Sequence, residues 1–366
     1  MSLYEVQQCL FDYLRVLEDP KTQGRPAIST DGYDLTDTER DALVNKDIGA
    51  IYAMGTHPVI INGYCRALGY KKADYRPLLE AAAPATETEE GQMADIVMAY
   101  SASHAPMMSA DKESAPPDQA ERFFGGLAKV RQQAADSRPQ AIVFMTGEHF
   151  TNFFLQNLPQ IAIGLGSGHQ GPLEKWLKIP KTIIPGGPGL AEHLLEGLVA
   201  DGFYPALSHK MKLDHGFMTV YHELDPEMEL PVVPIVLNCT TPPLMTLRQS
   251  YEFGKSAGAA IRSYDGLERV GLVGAGGLSH FVGEPRIGDI EEDFDRWFLE
   301  ELERQPLSDD LLDMPNDELM EAGNGTGEVR AWVAVGGAME GHTATTLSYE
   351  PIYEWINGMG VISCQT

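Results

Sequence analysis

The sequence predicts an α/β protein in which helices cover a central β-sheet, together with a small all-α domain at the N-terminal side. Three observations lead to this fold class. Apolar residues recur at helical spacing up to about residue 80, and short β-rich runs alternate with helical patterns after residue 93. A segment poor in bulky apolar residues lies between them. We therefore expect a helical domain over 1–80, a linker over 81–92 and an α/β domain over 93–366.

The first domain carries recognisable helix boundaries. A helix is predicted over residues 2–18 from its apolar spacing. Thr36 and Glu39 form a capping-box pattern ahead of a second helix. Pro58 suits the first turn of a later helix, which is predicted to stop at Gly69. The run EAAAPATETEEGQ that follows is rich in Ala, Thr and Glu, as is typical of a linker.

The second domain alternates predicted strands with predicted helices. This alternation favours a sheet covered on both faces. Residues 289–322 are acidic and helical, and are expected to pack on the outside. The predicted strands are DIVMAY (95–100), AIVFMT (141–146), IAIGL (161–165), VVPIVLN (232–238) and VGLVGAG (270–276).

Composition excludes several classes of protein. The chain has 27 basic and 53 acidic residues, a net charge of −26, and no basic cluster, which argues against binding to nucleic acid or to an anionic membrane surface. The 4 cysteines are scattered, as is typical of a reduced, cytoplasmic protein. No apolar run is long enough to span a membrane, and Glu5 and Asp12 make the N-terminus resemble an amphipathic helix more than a signal peptide.

Four histidines lie close to the ends of predicted strands or in a Gly-bounded turn. His104 follows the first strand, His149 the second and His280 the VGLVG strand, whereas His215 lies in the turn KLDHGF. Each of them alone is more typical of a hydrogen-bonded loop residue than of a ligand. Loops at the carboxyl ends of parallel strands converge at one edge of the sheet, so the four imidazoles are expected to meet. Imidazole is the commonest protein ligand for a divalent metal.

A carboxylate is the other ligand that a reactive iron site requires. Two histidines and one carboxylate leave positions open for a substrate and dioxygen. Glu148 adjoins His149, but neighbours on an extended segment point to opposite sides. Glu328 follows a glycine-rich stretch that lets the backbone approach another group closely, although it is also one of many acids that solvent could cover.

The glycine-rich run after the last predicted strand does not predict a nucleotide site, and the sequence does not predict a serine hydrolase. The run GAGGLSH lacks both the GxGxxG spacing and a following Lys-Ser/Thr, so it predicts a tight turn that exposes His280 and not a nucleotide site. No GxSxG elbow is present, which argues against a serine hydrolase.

The order of short motifs in the second domain resembles a known family. The runs SHAP, GEHF, DHG, GGLSHF, GEPRIG and GEVRAW resemble the catalytic β-subunit of LigAB-type extradiol ring-cleavage dioxygenases, such as protocatechuate 4,5-dioxygenase. Residues 35–69 resemble the small helical α-subunit of the same enzymes. The resemblance covers nearly the whole chain and implies a natural fusion with the small subunit first.

The resemblance implies a set of roles. His104, His149 and Glu328 match the ligands of Fe(II), His280 the acid/base histidine, and His215 a second pocket histidine, which Asp214 could orient. The implied reaction is extradiol cleavage of a carboxylated catechol such as protocatechuate or gallate with O2. A homo-oligomer, commonly a dimer in the family, is also implied. The family's Asn-Asp-His run reads Gly147-Glu148-His149 here, and the glycines before Glu328 differ, so substrate contacts can differ.

Several alternatives remain open from the sequence. The ring could be a dihydroxypyridine, a hydroxypyridone or an aminophenol, and the same scaffold could serve a zinc or iron hydrolase or a binding protein. Arg286 either faces a substrate carboxylate or forms a structural salt bridge. His57 either reaches the active site or caps a helix. The helical domain either covers the pocket or serves packing and dimerisation.

Overall fold

The computed structural model describes residues 3–19, 22, 24–82 and 93–366, which divide into two compact units, Met1–Glu89 and Glu90–Thr366. The predicted linker lies mostly outside the described residues, since only positions 81 and 82 of it are covered. Within the described residues no helix has the length and apolar character needed to cross a membrane.

The first unit is helical, as expected. The capping box at Thr36 is confirmed, with Glu39 N donating to Thr36 Oγ1 at 3.3 Å and Thr36 N donating to the Glu39 carboxylate at 2.7 Å. His57 accepts from Val59 N through Nδ1 and caps the helix Pro58–Leu68, whose C-cap Gly69 has the left-handed conformation. The helices are α1 (Leu3–Glu18), α2 (Asp37–Val44), α3 (Ile48–Ala53), α4 (Pro58–Leu68) and α5 (Lys72–Ala81).

The second unit contains a mixed sheet of eight strands, which confirms the predicted α/β class. The described strands are β1 (Asp95–Ala102), β2 (Ala141–Gly147), β3 (Ile161–Gly164), β4 (Gly168–Gly171), β5 (Thr182–Pro185), β6 (Ala206–Ser208), β7 (Val232–Leu237), β8 (Arg269–Ala275), β9 (Ala344–Ile352) and β10 (Asn357–Cys364). In the sheet they occur in the order β6-β3-β7-β2-β8-β1-β10-β9, and a separate hairpin pairs β4 with β5.

Helices cover both faces of this sheet. The side chains of strand β2 illustrate this arrangement. Val143 and Met145 pack in one apolar core, whereas Ile142 and Phe144 pack in the core on the opposite face. Strands buried on both sides have nearly continuous apolar sequences. The helices of this unit are α6 (Met107–Ala110), α7 (Pro117–Ser137), α8 (Pro188–Ala200), α9 (His215–Leu224), α10 (Leu247–Arg262), α11 (Glu292–Glu303), α12 (Asp309–Leu312), α13 (Asn316–Leu319) and α14 (Val329–Ala338).

The four central strands, β7, β2, β8 and β1, are parallel. Their carboxyl ends therefore lie at one edge of the sheet, as the sequence analysis required. Each of the five predicted strands overlaps an observed one. The antiparallel pair β10 and β9 was not predicted; β9 is only partly buried and contains Pro351, which weakens its strand pattern.

Candidate metal centre and active site

His104 lies two residues after the end of β1 and is buried, with 2% of its surface exposed. Its Nδ1 lies 3.1 Å from Thr146 Oγ1, a side chain of the neighbouring strand β2. This contact fixes the ring so that Nε2 faces Glu328 Oε2 at 2.9 Å. Burial lowers the pKa of His104, and the neutral imidazole that results is the form that binds a metal.

His149 follows β2 and approaches the same carboxylate from the other side. Its Nε2 lies 2.9 Å from Glu328 Oε1, and its Nδ1 lies 3.1 Å from Asp214 Oδ2. Burial opposes protonation of His149, but the two carboxylates outweigh it and raise its pKa well above the usual value. The cluster therefore favours a positive charge at this point.

Glu328 lies in a short 3-10 turn, Thr326–Glu328, immediately before α14. Its side chain is buried, and Oε2 also accepts a hydrogen bond from Gly277 N at 2.6 Å. Burial alone would raise the pKa of this carboxyl, but His104 and His149 hold it well below the ordinary value. Glu328 is thus a carboxylate shared between two imidazoles, not a solvated acid.

His215 is the first residue of α9, which corrects the predicted Gly-bounded turn. Asp214 forms the N-cap and accepts from Gly216 N at 3.0 Å, so the chain enters a helix where the glycine suggested a turn. The His215 ring centroid lies 4.3 Å from that of His149, and one ligand nitrogen from each of His104, His149 and His215 falls within 4.8 Å of the others.

Asp214 orients His149 and not His215, because the imidazole nitrogen to which its carboxylate is hydrogen-bonded is His149 Nδ1. The carboxylate that holds His215 is Glu174, whose Oε1 lies 2.7 Å from His215 Nδ1 and also accepts from His215 N at 3.1 Å. Sequence reasoning missed Glu174, because nothing in its local pattern separates it from the other acids of the chain.

His280 lies in the loop after β8 and is 7% exposed, so the predicted exposed turn is wrong. Three glycines enclose it. A Cβ atom would lie 2.4 Å from the ring at Gly277, 2.0 Å from Nε2 at Gly325 and 2.0 Å from the His280 carbonyl oxygen at Gly323. The group that the glycine-rich stretch before Glu328 approaches is therefore His280. Its Nδ1 donates to Leu278 O at 2.8 Å when protonated, which leaves Nε2 as the nitrogen without that bond.

The loop of His280 is anchored by a buried acid that sequence reasoning also missed. Asp295 accepts from Ser279 N at 2.7 Å, from Ser279 Oγ at 2.9 Å and from Tyr349 Oη at 2.9 Å. Burial raises the pKa of Asp295 to about 6.

Arg286 forms a structural salt bridge. It contacts Asp289 at 3.0 Å and also Glu291, and its guanidinium lies 4.0 Å from the centre of the Phe281 ring. Of the two predicted roles for Arg286, the structure thus supports the salt bridge. His57 serves as a helix cap, the second of the roles predicted for it.

The donor set of this cluster suits a divalent metal. Two imidazole nitrogens and one carboxylate meet within hydrogen-bonding distance, and each imidazole is fixed through its other nitrogen, to Thr146 and Asp214 respectively. Partners of that kind orient metal-binding histidines. Two histidines and one carboxylate are also the ligand set of non-heme iron enzymes, a set that leaves coordination positions open for a substrate.

Comparison with known proteins identifies the second unit. Residues 98–360 match the family described as "Catalytic LigB subunit of aromatic ring-opening dioxygenase". A 2,3-dihydroxyphenylpropionate/2,3-dihydroxicinnamic acid 1,2-dioxygenase of Photorhabdus laumondii is 26% identical over 72% of this chain and 95% of its own length. A protein of the same description from Pseudomonas putida is 30% identical over 62% of this chain and 85% of its own length.

Proposed function

Since this chain belongs to the LigB family, the catalytic subunits of aromatic ring-opening dioxygenases, we propose that it cleaves the ring of a vicinal diol on the extradiol side at an Fe(II) ion held by His104, His149 and Glu328. The observation that carries the proposal is the Glu328 carboxylate, whose two oxygens each lie 2.9 Å from Nε2 of one histidine. The chain is an oxidoreductase of the dioxygenase class.

When bound, the ferrous ion would lower the pKa of a bound hydroxyl and supply the redox centre for reaction with dioxygen. The protein's own groups do the rest. Thr146 and Asp214 hold the two histidines through Nδ1, so that Nε2 of each ring faces Glu328, where these three side chains would hold the ion. Gly277 N–H, donating to Glu328 Oε2, keeps that carboxylate in place between them.

His280 is the proposed acid/base group. Its Nδ1 is engaged by the carbonyl of Leu278, so Nε2 is the nitrogen that takes a proton from the diol and later returns one. His215 is the second pocket imidazole: Glu174 engages Nδ1, which leaves Nε2 for a polar group of the substrate or for dioxygen. The five side chains assigned from the sequence, His104, His149, Glu328, His280 and His215, thus combine metal binding with proton transfer in this proposal.

The proposed substrate is a catechol with a short carboxylate-bearing side chain, of the kind that the relatives' names describe. Protocatechuate and gallate, expected from the sequence, remain within the same class. Arg286 does not supply the positive charge for this carboxylate, because two acids already engage it.

The test is O2 uptake by protein loaded anaerobically with Fe(II). The panel is 3-(2,3-dihydroxyphenyl)propionate, protocatechuate, gallate, a dihydroxypyridine and 2-aminophenol, with a coloured ring-opened product as the second readout. We expect one O2 consumed per diol, and no turnover with Zn(II). Turnover with Zn(II) in the absence of O2 would support the hydrolase alternative and refute the proposal.

A matched pair of variants tests the acid/base assignment. His280→Ala should keep its iron and lose turnover. His193→Ala removes a half-buried histidine of α8 that contacts the Ser263 hydroxyl and the Tyr264 ring and none of the proposed site residues, and it should leave turnover unchanged. Full activity in the His280 variant would contradict the assigned role.

A further inference from the structure

Asp295 is a buried acid for which the fold supplies no cation. It lies in α11 with 0% of its surface exposed, and it forms no ion pair with the residues that the structure describes. The other buried acid of this helix, Glu301, pairs with Arg304 at 2.7 Å and also accepts from the Ser308 hydroxyl. A buried carboxylate without a cation is costly unless hydrogen bonds replace its lost hydration. The charge of Asp295 therefore depends on the hydrogen-bond donors around it.

Three donors converge on the Asp295 carboxylate from two other parts of the fold. Ser279 N donates to Oδ1 at 2.7 Å, and Ser279 Oγ donates to Oδ2 at 2.9 Å. Tyr349 Oη of β9 donates to Oδ2 at 2.9 Å. Both oxygens thus act as acceptors, which an ionised carboxylate allows and an amide of the same shape does not. Protonation, or replacement by asparagine, places a donor where the carboxylate has an acceptor.

Ser279 is held at each of its polar atoms. Besides its two bonds to Asp295, its Oγ accepts from Glu291 N at 2.8 Å and its carbonyl oxygen accepts from Gly358 N at 3.1 Å. A Cβ atom on Gly358 would lie 1.9 Å from Asp295 Oδ2, so the carboxylate packs directly against the backbone of β10. Because Ser279 precedes His280 in the chain, fixing its backbone also fixes the direction in which the His280 side chain leaves the loop.

We propose that Asp295 is a positioning residue for ring opening: its carboxylate fixes Ser279 and thereby keeps the His280 imidazole where Nε2 exchanges protons with the diol. Asp295 itself contacts none of the three side chains that would hold the metal. A displacement of about 1 Å at a reacting group can cost on the order of 100-fold in rate. This inference rests on the proposed function and adds a residue to it.

The carboxylate can hold Ser279 in this way only while it is ionised. Burial raises the pKa of Asp295 to about 6, and the negative charge of Glu292 acts in the same direction. As the pH falls through about 6, one carboxylate oxygen becomes a donor and the contacts with Ser279 weaken. The titratable and charged groups around it are Glu292 and Arg296 of α11, His280 of the loop, Tyr349 of β9 and Tyr353 just after β9.

The experiment compares D295N with D293N in Fe(II)-loaded protein, with 3-(2,3-dihydroxyphenyl)propionate as the probe. Asp293 is an exposed acid of the same helix and forms no ion pair within the described part of the chain, so D293N removes an equal charge away from the loop. Turnover is measured by O2 uptake from about pH 5 to about pH 8. Anaerobic diol affinity, iron content and melting temperature are recorded for the same samples.

Well above pH 6, D295N should have a kcat about 10- to 100-fold below that of wild type, with unchanged iron content and diol affinity. A protonated carboxyl and an amide each offer one acceptor and one donor, so the two proteins should become alike as the pH falls below about 6. Groups common to both proteins cancel in the ratio of their kcat values. D293N should follow wild type at every pH.

A milder variant tests the same carboxylate in a protein that keeps both Ser279 bonds. Y349F removes one donor from Asp295 Oδ2, which raises the pKa of Asp295 further. Its turnover at high pH should stay close to that of wild type, and the fall in kcat should move to higher pH. A fall at the wild-type pH in Y349F would assign that titration to another group and overturn the proposal.

Two results in D295N would also overturn it. One is wild-type kcat above pH 6 in folded protein. The other is a loss of turnover that is equal at every pH and proportional to losses of melting temperature and iron, which would make Asp295 structural. A crystal structure of D295N tests the positioning without turnover: we expect a displaced His280 imidazole, and an unmoved ring would contradict the proposal. If wild-type protein neither binds nor oxidises the diol, the proposed function fails, while the ring position still decides the role of Asp295.

Discussion

The substitution Gly325→Ala tests how closely the glycine-rich stretch fits around His280. Gly325 has φ −88° and ψ −19°, a conformation that alanine adopts without strain. The new Cβ would nevertheless lie 2.0 Å from His280 Nε2 and 2.4 Å from Cε1. The effect is therefore a collision with the imidazole and not a backbone penalty.

The magnitude follows from this distance. Non-bonded heavy atoms lie roughly 3.5 Å apart, so the imidazole must move by about 1.5 Å. A displacement of about 1 Å at a reacting group can cost on the order of 100-fold in rate. We therefore expect kcat to fall by about 100-fold, equivalent to roughly 2.7 kcal/mol in the activation free energy.

The assay is O2 uptake at saturating diol, with iron content and far-UV circular dichroism recorded for the same samples. Iron should be retained, because the contacts of His104 and His149 with Glu328 do not involve Gly325. Gly125→Ala is the control: its Cβ meets no atom within 4 Å inside helix α7, so turnover should be unchanged. Wild-type turnover by a folded, iron-loaded Gly325→Ala protein would refute the claim that turnover depends on the position of the His280 imidazole.

Three further predictions concern metal affinity and stability. Asp214→Asn removes the charge beside His149 Nδ1 and should weaken Fe(II) binding by about 10- to 100-fold in a competition titration; unchanged affinity would contradict the orienting role. Burial lowers the pKa of His169 to about 4, below its unfolded value of 6.5. The contribution of His169 to the free energy of unfolding is therefore fully present above pH 6.5 and falls by about 3 kcal/mol as the pH drops toward 4, measured by urea unfolding. His169→Leu should reduce this dependence of the unfolding free energy on pH; an unchanged dependence would show that other groups cause it. Gly254→Ala would place a Cβ 1.8 Å from Ala334 O between α10 and α14, and should cost about 1–3 kcal/mol of unfolding free energy; a stability equal to wild type would show that these helices can separate.

The central part of the fold was predictable because its strands are buried on both faces. The run AIVFMT has no polar residue before Thr146, so it predicts a buried strand. The pair β9 and β10 was not predictable in the same way: most residues of β9 are only partly buried, and Pro351 and Gly358 interrupt the pattern.

The residues of the candidate site also fall into those that the sequence could predict and those that it could not. Residues at the ends of parallel strands, such as His104 and His149, could be predicted because topology brings those ends together. The orienting residues Glu174 and Asp295 could not, because each contacts its partner across a distance in the chain that no local pattern records. The same reason explains why Asp214 was assigned to its neighbour His215, when the ring it holds is that of His149.

Several predictions from the family resemblance remain predictions. They are the identity of the metal as Fe(II), the roles of the site residues, the correspondence of the N-terminal unit to a small helical subunit and the assembly of the chain into a homo-oligomer.

The most direct test of the account is a crystal structure of the protein loaded anaerobically with Fe(II), with anomalous scattering recorded at the iron edge. We predict one ion at roughly 2.1 Å from His104 Nε2, His149 Nε2 and a Glu328 carboxylate oxygen, with the remaining positions open to a diol. An iron peak among Glu174, Asp214 and His215 instead, with Glu328 still bonded to the two imidazoles, would contradict it.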